Sequence, residues 1–395
     1  MTTQTMEALL KAGETDKARA LADTALRKNP EDRTALLTLA KLATVEGEWQ
    51  RAETLVRRAT HGGKENDADS LLVQAALASQ RGEPELARSL YEQVTRLTPP
   101  RAEAFFGLGF LLAGQEQFAS ARPMLQRAVE LDPEVAPYRF HLARVMLAQE
   151  ELQTALPHLE KALELNPLYP PVYMAWATVL MHLGELATAE DLLRQGVKLL
   201  PEEPELLNLL GSVLAARGDL AGALAIAEAL VRDYPDVPGL HGNQARLLMA
   251  LGRGKEALAI CREQEGRGRT TAQLKFLEAM VLETEDPPDL DGSAAAYREA
   301  MKLDPEDWAP ANNLGNLLLR QEKVPGGPGV KRAIEALEDA RRRGPQQVEP
   351  VLNLALAYAR HGDTERSKAL AAEILQKSSD PSAHEQAERL LKTLG

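Results

Sequence analysis

The chain is predicted to be all-α, a solenoid of helical hairpins laid down one after another, and three observations predict it. The six residues AVELDP at 128–133 return as ALELNP at 162–167 and as AMKLDP at 300–305. Pro99, Pro133, Pro167, Pro201 and Pro235 stand 34 residues apart. Apolar residues recur with the helical period, and strand formers are scarce, with four Ile among 395 residues.

Residues 102–135 show how one unit is written. A first helix reads AEAFFGLGFLLAG, with Phe105, Leu108, Gly109 and Leu112 on one face. GQEQ makes a turn. A second helix reads FASARPMLQRAVELD, with Ala121, Leu125 and Ala128 on one face. Proline then stops the helix, because it cannot continue a helix interior. Small residues keep the same phase along the chain: Gly109, Ala143, Ala177, Gly211, Ala245 and Gly315 on first helices, and Ala121, Ala155, Ala189, Ala223, Ala257 and Ala333 on second helices. Two helices that approach closely need a small side chain at the crossing.

Phasing the whole chain gives eleven units near 1–32, 33–67, 68–101, 102–135, 136–169, 170–203, 204–237, 238–271, 272–307, 308–347 and 348–381. Residues 382–395 form a last helix whose apolar face (Ala383, Ala387, Leu390, Leu391 and Leu394) opposes charges, as a solvating cap requires. Three units depart from the pattern. One ends CREQEGRGRTT, one carries TEDPPDLDG between its helices, and one carries EKVPGGPGV there. The PGGPGVK stretch lacks the spacing of a phosphate loop and reads as a mobile turn.

Composition narrows the function classes. A net charge of −12 argues against a nucleic-acid partner, which needs a basic stripe. The short cluster Arg341–Arg343 reads as a solvated helix end. Cys261 is the lone cysteine and lies on an apolar helical stripe, so it reads as buried and inert. No run of about 18 apolar residues is present, and the first residues lack the pattern of a secretory signal. A cytoplasmic location without membrane insertion is the expectation. The excess of Arg over Lys fits a GC-rich bacterial source. The hairpins use up the chain, leaving no segment for a catalytic domain. No His or Cys spacing suits a metal, so neither enzyme activity nor a cofactor is expected.

The 34-residue hairpin places a large residue, Leu, Gly or Ala, a large apolar residue, Ala, an aromatic or Leu, Ala and a closing Pro in order. It resembles the tetratricopeptide repeat (TPR) over essentially the whole chain. The resemblance implies a right-handed superhelix whose first helices line a concave groove that binds segments of partner proteins. In that groove the expected residues of the fourth to sixth units are Phe106, Phe110, Phe140, Arg144, Met174, Thr178 and Met181. They are distinct from the packing stripe of Phe105, Leu108, Leu142 and Trp176.

A second candidate is polar. Asn312, Asn313 and Asn316 lie on one first helix, and Asn243 and Asn353 share the phase of Asn313. With Arg246, these carboxamides suit a peptide backbone, since each offers a donor and an acceptor. The row resembles the asparagine ladder of O-GlcNAc transferases, and in part the TPR clamp for chaperone carboxylates, whose lysine position is Asn312 here. The expected function is a non-catalytic scaffold or adaptor. Alternatives are an effector- or peptide-responsive regulator and a structural part of an envelope or motility assembly.

Overall fold

The structure is a computed structural model that describes residues 2–11, 13–61, 67–237 and 239–395. Among them are 23 helices and no strand. The chain divides into two compact units, Met1–Leu206 and Leu207–Gly395.

In the first unit α1 (Thr2–Lys11) pairs with α2 (Thr15–Lys28), α3 (Arg33–Val45) with α4 (Trp49–Thr60), and α5 (Ala68–Gln80) with α6 (Pro84–Thr95). The pairs α7 (Ala102–Gly114) and α8 (Phe118–Leu131), α9 (Ala136–Ala148) and α10 (Leu152–Leu165), and α11 (Pro170–His182) and α12 (Leu186–Leu199) follow. The helix α13 (Pro204–Ala216) spans the unit boundary.

The second unit continues with α14 (Leu220–Asp233), then α15 (Leu240–Ala250) with α16 (Gly254–Gly266) and α17 (Ala272–Thr284) with α18 (Leu290–Leu303). It goes on with α19 (Ala309–Gln321) and α20 (Pro328–Arg343), α21 (Val348–His361) and α22 (Thr364–Lys377), and ends at α23 (Pro381–Leu394).

Within each unit a helix touches its hairpin partner and the next hairpin. First helices also touch one another, as in α3–α5–α7–α9 and in α19–α21–α23. First helices therefore form one layer and second helices the other.

Each short hairpin turn is closed the same way. One residue takes left-handed φ, at Gly13, Gly47, Gly82, Glu116, Glu150 and Gly184 in the first unit. The residue after it donates its N–H to the carbonyl five positions back, as Glu83 does to Ala78 at 2.9 Å and Gln117 to Leu112 at 2.9 Å. This is a Schellman-type closure, which favours glycine because a Cβ strains there. Glu116 and Glu150 adopt that conformation without being glycine.

At the crossing inside each hairpin, space decides the residue. A Cβ added to Gly109 would lie 2.7 Å from Leu125 Cγ and 3.1 Å from the Leu125 backbone nitrogen. At Gly315 it would lie 2.5 Å from Leu337 Cγ. Across from these glycines, Ala121 and Ala333 are fully buried. Gly211 is looser, its nearest neighbour being Ile226 at 3.5 Å.

Two sequence expectations are corrected here. The 322–329 loop is tied down rather than mobile. The Glu322 carboxylate accepts from Val324 N–H at 3.0 Å and Gly329 N–H at 2.9 Å, and Gly326 N–H donates to Arg360 O at 3.1 Å. The Arg360 guanidinium donates in turn to the carbonyls of Leu319, at 2.6 Å, and Glu322. The loop thus staples α19 and α20 to α21. Nor is Arg343 a solvated end. Its guanidinium is largely covered and faces the carbonyls of Met301, Asp304 and Asp307 at 3.3–3.4 Å, at the exit of α18. A cation at the carbonyl end of a helix is favoured by the macrodipole.

Among the described residues no helix is long and apolar enough to cross a membrane. In α23, Ala383, Ala387 and Leu390 are buried against α21 and α22.

Gly109→Ala and Gly315→Ala are expected to destabilise by about 1–3 kcal/mol each through overpacking. Gly211→Ala, which meets no clash, is expected to be neutral or to gain up to about 1 kcal/mol from helix propensity. Urea unfolding midpoints of the three variants check this ordering.

Candidate functional site

In the first unit an aromatic cluster crosses the first-helix layer from α7 to the start of α11. The Phe106 ring lies 4.7 Å from Tyr138, 5.4 Å from His141 and 6.1 Å from Phe110, centroid to centroid. His141 stands edge-on to Phe110 at 5.0 Å and to Phe140 at 5.2 Å. Tyr169 meets Phe140 at 5.2 Å. Edge-to-face pairs at these distances are the favoured geometry for rings.

Phe110 is 44% exposed, a large value for a phenylalanine with aromatic neighbours on two sides. Arg144 is exposed, and its guanidinium carbon sits 5.9 Å from the Phe140 ring centre. Met174 and Met181 are partly buried on α11, and Thr178 is exposed with its hydroxyl donating to Met174 O at 2.8 Å.

One expectation fails in this cluster. Phe140 is 6% exposed, enclosed by His141, Tyr169 and Arg144, so it offers no face to a ligand. Tyr138, His141 and Tyr169 were missed by the sequence reading. The signal for His141 was available, since it follows Phe140 and lies three residues before Arg144, on the same helical face.

Charge in the cluster is simple. Burial, followed by the positive charge of Arg144, lowers the His141 pKa from 6.5 to about 4, so the imidazole is neutral at physiological pH. Burial likewise raises the Tyr138 hydroxyl well above its usual range, helped by Glu103.

In the second unit four of the five candidate asparagines are paired with other side chains. Asn243 Nδ2 donates to Asn208 Oδ1 at 3.2 Å, and Asn353 Nδ2 to Asn312 Oδ1 at 2.8 Å. Asn312 Nδ2 donates to Glu349 Oε1 at 2.9 Å, and Asn313 Nδ2 reaches the Tyr297 hydroxyl at 3.5 Å. That hydroxyl donates to Glu283 at 2.6 Å, and Glu283 also takes Arg320. Asn312 is 1% exposed, which corrects its assignment as an open groove residue: its amide is spent holding α19 to α21. Asn243, Asn313, Asn316 and Asn353 are partly buried, and Arg246 is exposed. Asn313, Asn316, Tyr297, Glu283 and Arg320 border a cleft of about 460 Å³.

Cys261 is buried, and burial pushes its thiol up to about 12. No group of three or more His, Cys, Asp or Glu among the described residues is placed to hold a metal ion.

Three family profiles, each described as tetratricopeptide repeat, match residues 9–79 and 146–213, 111–170 and 329–384, and 204–229 and 238–263. The chain is a tetratricopeptide-repeat protein.

Solved structures agree on the fold. Yeast Tom70 superposes with a TM-score of 0.59 at 14% identity, covering 99% of this chain and 95% of that one. A TPR protein from Parabacteroides merdae gives 0.50 at 15% identity, covering 64% and 98%. A monomeric mutant of IFIT1, solved with Gppp-AAAA, gives 0.50 at 15% identity, covering 98% and 90%. No curated protein sequence matches. The TPR fold is that of a protein-interaction scaffold.

Because His141 is held neutral, its folded-state pKa lies below its unfolded value. Its contribution is fully present above pH 6.5 and is lost as pH falls towards about 4. The loss is on the order of 2–3 kcal/mol. Between pH 7 and pH 4, His141→Gln should therefore lose less stability than the wild type. Thermal melts of both proteins across that range check the difference.

Proposed function

We propose that this TPR chain is a non-catalytic adaptor that takes an extended or helical segment of a partner protein on the aromatic face of α7, α9 and α11. One observation carries the reading. The exposed ring of Phe110 packs on Phe106 and His141 in an aromatic cluster that also holds the exposed Arg144, on the helix layer that a chain could follow across several repeats. Large exposed apolar groups of this kind on a soluble protein mark interaction sites. Aromatic anchors commonly dominate binding energy.

Met174, Met181 and Thr178 extend the face along α11. In the second unit Asn243, Asn313, Asn316 and Asn353, with Arg246, make a polar contact zone for a peptide backbone. Asn316, which lines the cleft with Asn313 and Arg320, is the centre of that zone. The cytoplasmic location expected from the sequence belongs to the same proposal.

A nucleic-acid reading, which the IFIT1 likeness invites, is disfavoured by the −12 charge. Binding of a phosphate backbone draws on several cations at once.

Phe110→Ala should reduce partner binding by about thirty-fold or more, the loss typical of an anchor worth about 2 kcal/mol. Its stability should stay near wild type, whereas Phe140→Ala should cost about 3–5 kcal/mol as a core truncation. Capture from native extract, compared across wild type, Phe110→Ala and the exposed-site control Val45→Ala, checks this. Proteins retained by wild type and Val45→Ala should be lost from Phe110→Ala. Equal retention by all three contradicts the assignment.

A further inference from the structure

Arg144 is the exposed cation of the aromatic cluster, and unlike many arginines of its unit it meets no carboxylate. Arg33, Arg81, Arg101 and Arg122 each reach a carboxylate on a neighbouring helix or turn, Arg101 meeting Asp69 at 2.9 Å and Arg122 meeting Glu151 at 2.6 Å. Arg144 meets none. Its one recorded contact is the Phe140 ring. At His141 and at Tyr169 the positive charge of Arg144 is felt. At the other end of the cluster the charges are mixed: Glu103 and Asp132 act on Tyr138, and so does Arg101, which lies 3.6 Å from Glu103. The aromatic face therefore carries one uncompensated cation, at its α9 side, in a chain whose net charge is −12.

We infer that the docked segment is acidic as well as apolar: an aromatic or large aliphatic side chain beds against Phe110 and His141 while a carboxylate of the same segment pairs with Arg144. This rests on the docking reading above and gives it a chemistry and a direction. Arg144 is a planar donor fork that suits a carboxylate, and it has no other partner to surrender. His141, being neutral, serves as part of the apolar floor and adds no charge of its own. The direction follows from the positions of the two anchors: the apolar group lies at Phe110 on α7 and the acidic group at Arg144 on α9. The net negative charge elsewhere disfavours acidic segments and makes this face selective for one.

The test uses the full chain and a phage-displayed library of random dodecapeptides as the probe. Selected peptides are synthesised and titrated by fluorescence anisotropy against wild type, Phe110→Ala, Arg144→Glu and Arg262→Glu. Thermal melts confirm that each variant folds. The inference predicts enrichment of Asp or Glu close to an aromatic or large aliphatic residue. Affinity should fall about ten-fold or more in Phe110→Ala and in Arg144→Glu, and stay unchanged in Arg262→Glu. Peptides with Lys replacing the acid should prefer Arg144→Glu over wild type.

Selected peptides without acidic bias, lost in Phe110→Ala but indifferent to Arg144→Glu, would overturn the charge inference and leave the docking reading standing. Peptides indifferent to Phe110→Ala, or a library that yields no binder, would overturn both. Binding of a single-stranded RNA oligomer that is lost in both Phe110→Ala and Arg144→Glu would assign the face to nucleic acid and overturn the inference.

Discussion

The architecture depends on one crossing, repeated from hairpin to hairpin, between a small residue of the first helix and an alanine, or in α18 and α22 a serine, of the second. Gly109 and Gly315 have no room for a Cβ, and Ala121, Ala155, Ala189, Ala223, Ala257 and Ala333 are fully buried. Close approach lets Leu108, Leu125 and their equivalents fill the space on either side. It also sets the angle at which the hairpin leaves its partner, so each first helix meets the next and a continuous layer results. The aromatic cluster is a consequence. Phe106, Phe110, Tyr138 and His141 meet because α7 and α9 are neighbours in that layer.

Most of the fold was legible in the sequence because its determinants are local and periodic. Proline at the exit, alanine at the crossing and apolar residues at helical spacing all repeat in fixed phase, so one unit reads for the others. What the phase could not supply was the depth of each side chain. Phe106 and Phe140 stand 34 residues apart, in one phase. Phe106 remains partly open and Phe140 is covered. The difference lies in the next element, since Tyr169, from the turn before α11, closes over Phe140. Asn312 went astray for the same reason, because its burial depends on Glu349 and Asn353, respectively 37 and 41 residues on. The loop at 322–329 looked mobile from its glycines and prolines. Its order comes from Glu322 and Arg360, one of them on another helix.

The two candidate zones differ in chemistry because they differ in how they meet their internal needs. The carboxamides of the second unit largely satisfy one another, a connected set from Asn353 through Asn312 and Asn313 to Tyr297 and Glu283. Such a network fixes neighbouring helices and leaves limited capacity for a ligand. The aromatic face of the first unit is the reverse. Its rings satisfy each other by packing, while Phe110 and Arg144 keep their outward faces. The first kind of region holds the repeats in register; the second is the one the proposal assigns to a partner.

The measurement that tests the account most directly is a pair of internal deletions, followed by far-UV circular dichroism and urea unfolding. Removing residues 136–169 takes out one full period, joining an exit to a first helix with every crossing kept in phase. Removing residues 136–152 takes out half a period and sets a second-helix sequence where a first helix must pack. The account predicts that the full-period deletion keeps wild-type helicity per residue and a cooperative transition. It predicts that the half-period deletion, though smaller, loses both. Equal tolerance of the two deletions, or collapse of the full-period variant alone, would contradict a fold built from hairpins that touch only their neighbours.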